Sequence, residues 1–254
     1  MTVEERFLQE LNVFRSEIEA VIRYAYSEGA IHETARKSKR VLDTLNKNPS
    51  FWNSVLGSLT VSTFVALGRI FDVKNASGEK HTIHTLFKIV LENRQIFSKE
   101  SFAERWDSTH SGMLEYKETY MKDVCDMKDS DWKELKKLKS ALCKQYQDLY
   151  RPIRDVFGHR ILIDNEKISL LMSKASVREM EKFCTKLKNL HEGLWQLYHN
   201  GRGPVTPLRT GKYSSRGFVY AKYEPYKSIS LAKQYTLDAK GAMELLKKGN
   251  YSKR

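Results

Sequence analysis

The sequence has little cysteine: Cys125, Cys143 and Cys184 are three residues in 254, with no Cys-x-x-Cys pair. An odd and widely spaced set argues against a disulfide framework or a cysteine zinc site, and it fits a reducing compartment. Proline is also scarce, with only Pro49 and Pro152 in the first 200 residues, whereas Pro204, Pro207 and Pro225 crowd the tail. No Gly-rich phosphate loop, serine-nucleophile motif or zinc-protease motif occurs, which removes the enzyme classes those patterns carry. The N-terminus, MTVEERFLQE, has no basic segment followed by an apolar run, so a secretory leader is not expected. The most apolar stretch, Val55 to Phe71, is interrupted by Ser58, Thr60, Ser62, Thr63 and Arg69. A membrane span needs ~20 mainly apolar residues, so this stretch reads as a buried helix and no membrane association is expected. The expected location is the cytosol, where the sequons at Asn75 and Asn250 are accidental.

What is present is a globular chain, 41% hydrophobic, with a net charge of +13 that is unevenly spread. Residues 201–254 hold twelve Lys/Arg against three Asp/Glu, a net +9, and the first 200 residues carry the remaining +4. The same tail holds seven aromatics: Tyr213, Phe218, Tyr220, Tyr223, Tyr226, Tyr235 and Tyr251. Cations interleaved with flat rings suit a polyanion whose bases stack. A basic, loosely ordered extension resting on the body gives the same composition.

Helical signals dominate the first 200 residues. Thr2 and Glu5 make a capping box, followed by Phe7, Leu8, Leu11, Phe14, Ile18, Val21, Ile22 and Ala25 at helical spacing. This predicts a long first helix that continues past Gly29 toward Leu45. Asn48 and Pro49 open a second helix over Ser50–Asp72, apolar on most of its surface and therefore expected to be the central, most buried one. A polar loop, VKNASGEKH, precedes a helix at about Thr82–Asn93 and another element at about Ser98–Trp106. A long amphipathic stretch runs from Asp129 through Tyr150. Ser176 and Glu179 cap a helix ending near LYHNGRG, and LAKQYTLDAKGAMELLKK has the pattern of one more.

The densest chemistry lies in YRPIRDVFGHR, Tyr150 to Arg160. Pro152 removes a backbone donor and clashes with the preceding turn, so the long helix kinks or restarts there. Asp155 and His159, four apart, share a helical face. Asp155 has two roles open to it: orienting the imidazole, or neutralising Arg151, also four residues away. Arg154 and His159 are five apart, about 140° around the axis. They converge on one ligand only across a groove, through distortion near Gly158, or by pairing with a second copy of the helix. Guanidinium clamps phosphate oxygens and the charge that grows on them, and histidine exchanges protons near neutrality. Spacing alone does not single this pair out, because Arg105 and His110 in RWDSTH repeat it. Only Arg154, however, is followed directly by a polar residue and lies just beyond a long amphipathic helix.

On these residues the segment resembles the Arg-x4-6-His motif of the HEPN superfamily of helical nucleotide- and RNA-binding domains. FWNSVLGSLTVSTFVALGRIFD (51–72), HTIHTLFKIV (81–90), YRPIRDVFGHR (150–160) and HEGLWQLYHNGRG (191–203) are similar, in this order, to its abortive-infection AbiU-like branch. The resemblance covers about residues 50–203, and with the helical signals before them it implies an all-α, HEPN-like helical bundle over residues 1–203, with 204–254 as a basic, partly irregular C-terminal extension. It also implies a homodimer whose motifs face each other, acting as a metal-independent endoribonuclease that leaves a 2′,3′-cyclic phosphate, in antiviral defence or as the toxin of a toxin–antitoxin pair. Arg154 then stabilises phosphate charge, His159 handles a proton or contacts the phosphate, and Asp155 fills the polar position after the arginine, where asparagine is common. Arg151 and Arg160 beside the motif, and Lys212, Arg216 and Tyr220 in the tail, are the expected RNA contacts. No cofactor and no metal are expected, and an antitoxin or regulatory protein is the further partner implied. The alternative is a non-catalytic helical module that binds RNA or protein.

Other groups carry simpler readings. His81 and His84 are a helix-start pair rather than metal ligands, since no Cys, Glu or Asp nearby in sequence completes a set. Arg69 and Asp72 end an apolar helix and read as an ordinary salt bridge, with lining of the site in the folded domain as the lesser alternative. His191 and His199 read as incidental to a helix packing its aromatic face, and KELKKLK (133–139) as a solvated face, with guidance of RNA toward the site as its alternative.

Overall fold

The computed structural model describes residues 1–73, 81–109, 114–159, 165–203 and 239–244. Among them there is no strand, and the fold is all-α. The helices are α1 (Val3–Lys37), α2 (Lys39–Lys47), α3 (Pro49–Phe71), α4 (Ile83–Glu92), α5 (Lys99–Thr109), α6 (Leu114–Lys122), α7 (Asp129–Gln145), α8 (Arg151–His159), α9 (Asn165–Lys174) and α10 (Val177–Asn200). A 3₁₀ turn, Arg94–Phe97, precedes α5, and a π-helical turn, Tyr146–Tyr150, joins α7 to α8.

The helix ends follow local chemistry. Thr2 accepts from the Glu5 N–H at 3.1 Å while Glu5 accepts from the Thr2 N–H at 2.7 Å, the reciprocal box expected from sequence. Proline stands first in α3, where its missing N–H costs nothing. Ser176 accepts from Glu179 N–H ahead of α10, and Asp131 reaches back to the Lys128 N–H at the start of α7. The first helix stops short of the expected Leu45: Ser38 has extended backbone and its hydroxyl accepts from Val41 N–H, which ends α1 at Lys37 and starts α2.

The chain forms two compact units. One comprises Met1–Ser16, Arg69–Tyr146 and Thr185–Ser214. Its centre is aromatic: Phe7 meets Phe97 edge-on at 5.1 Å and Tyr198 at the same distance, and Phe97 meets Trp132 at 5.7 Å. A smaller cluster of Phe102, Trp106 and Val124 is covered by Tyr120 and Met121. Here α6 is strapped to the end of α10. Tyr120 donates to the Asn200 carbonyl, Cys125 N–H donates to the Gly201 carbonyl at 2.7 Å, and Arg202 donates to the Asp123 carbonyl. Gly201 has φ +56°, and a Cβ there would come within 2.9 Å of Val124, so glycine ends α10 for two reasons at once.

The other unit comprises Glu17–Gly68, Gln147–Cys184 and Ser215–Arg254. Thr60 of α3 donates to Glu28 of α1 at 2.7 Å. Ile31, Ala35, Val41 and Met243 form a buried cluster, with Trp52, Leu56 and Leu59 of α3 against it. Residues 239–244, in the stretch read as a further helix, are helical, and Lys240 pairs with Glu33 at 3.3 Å.

The expectation that α3 is buried along its length holds only for its second half. Thr63, Phe64, Ala66, Leu67, Ile70 and Phe71 are buried. From Pro49 to Ser62 no residue is, and Phe51 is 62% exposed. An apolar composition all round predicts burial all round, but in its first half the side carrying Trp52, Leu56 and Leu59 is the one that meets a core among the described residues. By length and apolar composition alone α3 is sufficient to cross a membrane, a property that core helices share.

Candidate active site

Of the Tyr150–Arg160 segment, Tyr150 to His159 lie in the second unit, on the π turn and α8. Pro152 has no N–H to give, and its ring would press on the carbonyl four residues back. The break expected there takes the form of a π turn, Tyr146–Tyr150, whose wider winding passes directly into α8.

Across this junction, Tyr150, Ile153, Arg154 and Phe157 recur at helical spacing and form one stripe. Tyr150 is fully buried, with its ring 4.8 Å from Phe183 and 6.4 Å from Phe64. Ile153 is buried beside it, and Phe157, partly exposed, stacks on Phe64 at an interplanar angle of 13°. Arg154 therefore takes a position that apolar packing would fill with an aliphatic residue, and its side chain is only 10% exposed. The Tyr150 hydroxyl is buried without a hydrogen-bond partner among the described residues. Burial raises its pKa, with smaller contributions from Cys184 and Glu179, so the phenol beneath α8 stays neutral.

A guanidinium this buried requires an anion, and Asp155 provides one. Its Oδ1 accepts from Arg154 Nε at 3.0 Å and from Nη2 at 2.6 Å. Its Oδ2 lies 3.7 Å from Nε of Arg151, whose side chain is 56% exposed. Each carboxylate oxygen thus faces a different arginine. Of the two roles left open for Asp155, neutralisation of Arg151 is seen. The pairing with Arg154 was not anticipated, because neighbours one residue apart on a helix diverge. His159 is the last residue of α8. Its side chain, and all of Arg160, Lys212, Arg216 and Tyr220, lie outside the described residues.

The competing pair is accounted for differently. Arg105 donates to Glu4 at 2.7 Å and to the Tyr198 carbonyl at 3.2 Å, and its guanidinium lies 4.2 Å from the Tyr198 ring centroid. It is a structural clasp in the first unit, and His110 lies outside the described residues. His81 Nδ1 is 2.9 Å from Glu10. His84 is held below the ordinary histidine pKa by burial and by Lys139, while its bond to the Phe71 carbonyl acts the other way. The two rings thus have separate neighbours. Among the described residues no three His, Cys, Asp or Glu side chains are grouped as a metal site. His191, read as incidental, is a core histidine beside Phe14, and burial pushes its pKa down to about 3. In the lysine-rich face of α7, Lys133, Lys136 and Lys137 are exposed as expected.

The model of the AbiU2 family of HEPN domains matches residues 4–216, most of the chain. The chain belongs to this abortive-infection family. No match emerges among curated proteins or among solved structures.

Proposed function

We propose that this AbiU2-family HEPN chain is a metal-independent endoribonuclease of the cytosol, acting in antiviral defence or as the toxin of a toxin–antitoxin pair. The observation that carries the reading is Arg154: a nearly buried arginine on the apolar stripe of α8, just after a π turn, on the helix that ends in His159. A cation in that position is costly as structure, and π turns concentrate at functional sites.

In the proposed reaction a ribose 2′-hydroxyl attacks the adjacent phosphorus. The O2′–P bond forms and the P–O5′ bond breaks. One proton leaves the 2′-hydroxyl and one is delivered to the departing 5′ oxygen, giving a 2′,3′-cyclic phosphate and a 5′-hydroxyl. Arg154 neutralises the charge on the non-bridging oxygens in the transition state, and His159 takes or gives one of the protons. The two residues stand about 140° apart on one helix, so a homodimer with facing α8 helices supplies the second half of the site. Arg151, and beyond it Arg160, Lys212, Arg216 and Tyr220, bind the RNA. An antitoxin or regulatory protein is the proposed partner that restrains it.

One observation favours a second reading, a non-catalytic RNA-binding module: Asp155 already engages two donors of Arg154. Two substrates separate the readings. Unmodified RNA is expected to be cut to cyclic-phosphate ends, whereas the same RNA methylated on its 2′-oxygens is expected to be bound and left intact. Binding of both without cutting supports the module, and equal cutting of both contradicts the 2′-hydroxyl mechanism.

A further inference from the structure

We infer that Asp155 is a built-in phosphate surrogate, which holds Arg154 and Arg151 in a phosphate-binding arrangement and which RNA must displace to engage them. The inference rests on the reading of Arg154 as a phosphate ligand. It assigns Asp155 a role opposed to binding, in place of a simple polar filler after the arginine.

The geometry carries it. A phosphodiester offers two non-bridging oxygens to two cations, and Asp155 does the same: Oδ1 with Nε and Nη2 of Arg154, Oδ2 with Arg151. The Nε–Nη2 edge is one of the edges with which a guanidinium grips phosphate. The carboxylate is the more exposed member of the pair, at 22% against 10% for Arg154. Displacing it therefore frees Nε and Nη2 of Arg154 from this carboxylate without dismantling the stripe of Tyr150, Ile153 and Phe157. A carboxylate left near an incoming phosphate repels it, so weakly binding RNA is rejected and a well-placed phosphate is selected. Asparagine at this position keeps one acceptor oxygen and loses the charge.

The test is binding of a 2′-O-methyl RNA, which the proposed reaction leaves intact, to the full chain and to Asp155→Asn. The variant is expected to bind about ten- to a hundredfold tighter, the range set by one charge-assisted hydrogen bond. Asp148→Asn removes the same charge from an exposed residue on the π turn and is expected to change binding much less. In an Arg154→Gln background, Asp155→Asn is expected to bring no gain. Equal or weaker binding by Asp155→Asn overturns the inference, as does an equal gain in the Asp148 variant or a gain that persists without Arg154. Asp155→Ser, of smaller volume, repeats the comparison if the asparagine variant melts lower than wild type. Cleavage of unmodified RNA by wild type, combined with no gain in Asp155→Asn, would retain the ribonuclease and discard the surrogate. A gain without cleavage in any variant would do the reverse.

Discussion

Arg154→Ala is expected to lower RNA cleavage by about 10²–10³-fold, the usual cost of removing one preorganised donor from a developing oxyanion. The Arg154 side chain is only 10% exposed on the apolar stripe of α8, so the helix sets its place before substrate arrives, and once Asp155 is displaced the donor needs little further reorganisation in the reaction. Arg154→Lys is expected to recover only part of the loss, because a point charge does not reproduce the fork. The carboxylate left behind in Arg154→Ala retains Arg151 at 3.7 Å and is partly exposed, so the variant should fold. Single-turnover cleavage rates, with melting curves as the folding control, check this. Full activity in Arg154→Ala would remove the residue from the mechanism.

The second large effect is acid lability set by His191. The ring is 2% exposed, and its pKa is lowered to about 3, first by burial and then by Arg15 and His199. In the unfolded chain it titrates near 6.5. Between these values the unfolded chain binds a proton that the folded chain refuses, so stability rises with pH across the window. The stability is fully present above about pH 6.5 and is lost as pH falls toward 3. The loss from this residue alone is about 2 kcal/mol at pH 5 and about 3 kcal/mol at pH 4. His199 is shifted in the same direction, by burial and then Arg105, and adds to it. Urea midpoints at pH 7 and pH 5 should therefore separate much more for wild type than for His191→Leu. Equal separations in the two proteins would show that the ring titrates normally in the fold.

The helices were legible where the sequence specifies their ends. The Thr2–Glu5 box, Pro49 at the start of α3, Ser176 before α10 and Gly201 after it each meet a backbone need that few residues satisfy. Ser38 carries the same kind of signal, but the apolar spacing resumes beyond it, so periodicity alone runs the helix through the cap. Helices α6 and α9 were not anticipated. Their sequences, LEYKETYMK and NEKISLLMSK, show weak segregation of apolar residues, and α6 depends on its strap to Asn200, Gly201 and Arg202, which local sequence does not reveal. Burial of α3 was half right, since composition specifies which side chains tolerate a core but not how far the neighbouring helices extend along it.

At the candidate site the segment and the break at Pro152 were readable, whereas the π turn and the Arg154–Asp155 pair were not. The stripe of Tyr150, Ile153, Arg154 and Phe157 was present in the sequence all along. An arginine at an apolar-stripe position is the signal that would have predicted both the burial of Arg154 and its need for a neighbouring carboxylate.

Whether the chain is a metal-independent ribonuclease is decided by cleavage of an end-labelled structured RNA in EDTA, compared between wild type and His159→Ala. Wild type is expected to cut, leaving 2′,3′-cyclic phosphate ends, and the variant is expected not to. A requirement for added metal, or equal cutting by the two proteins, would contradict that expectation.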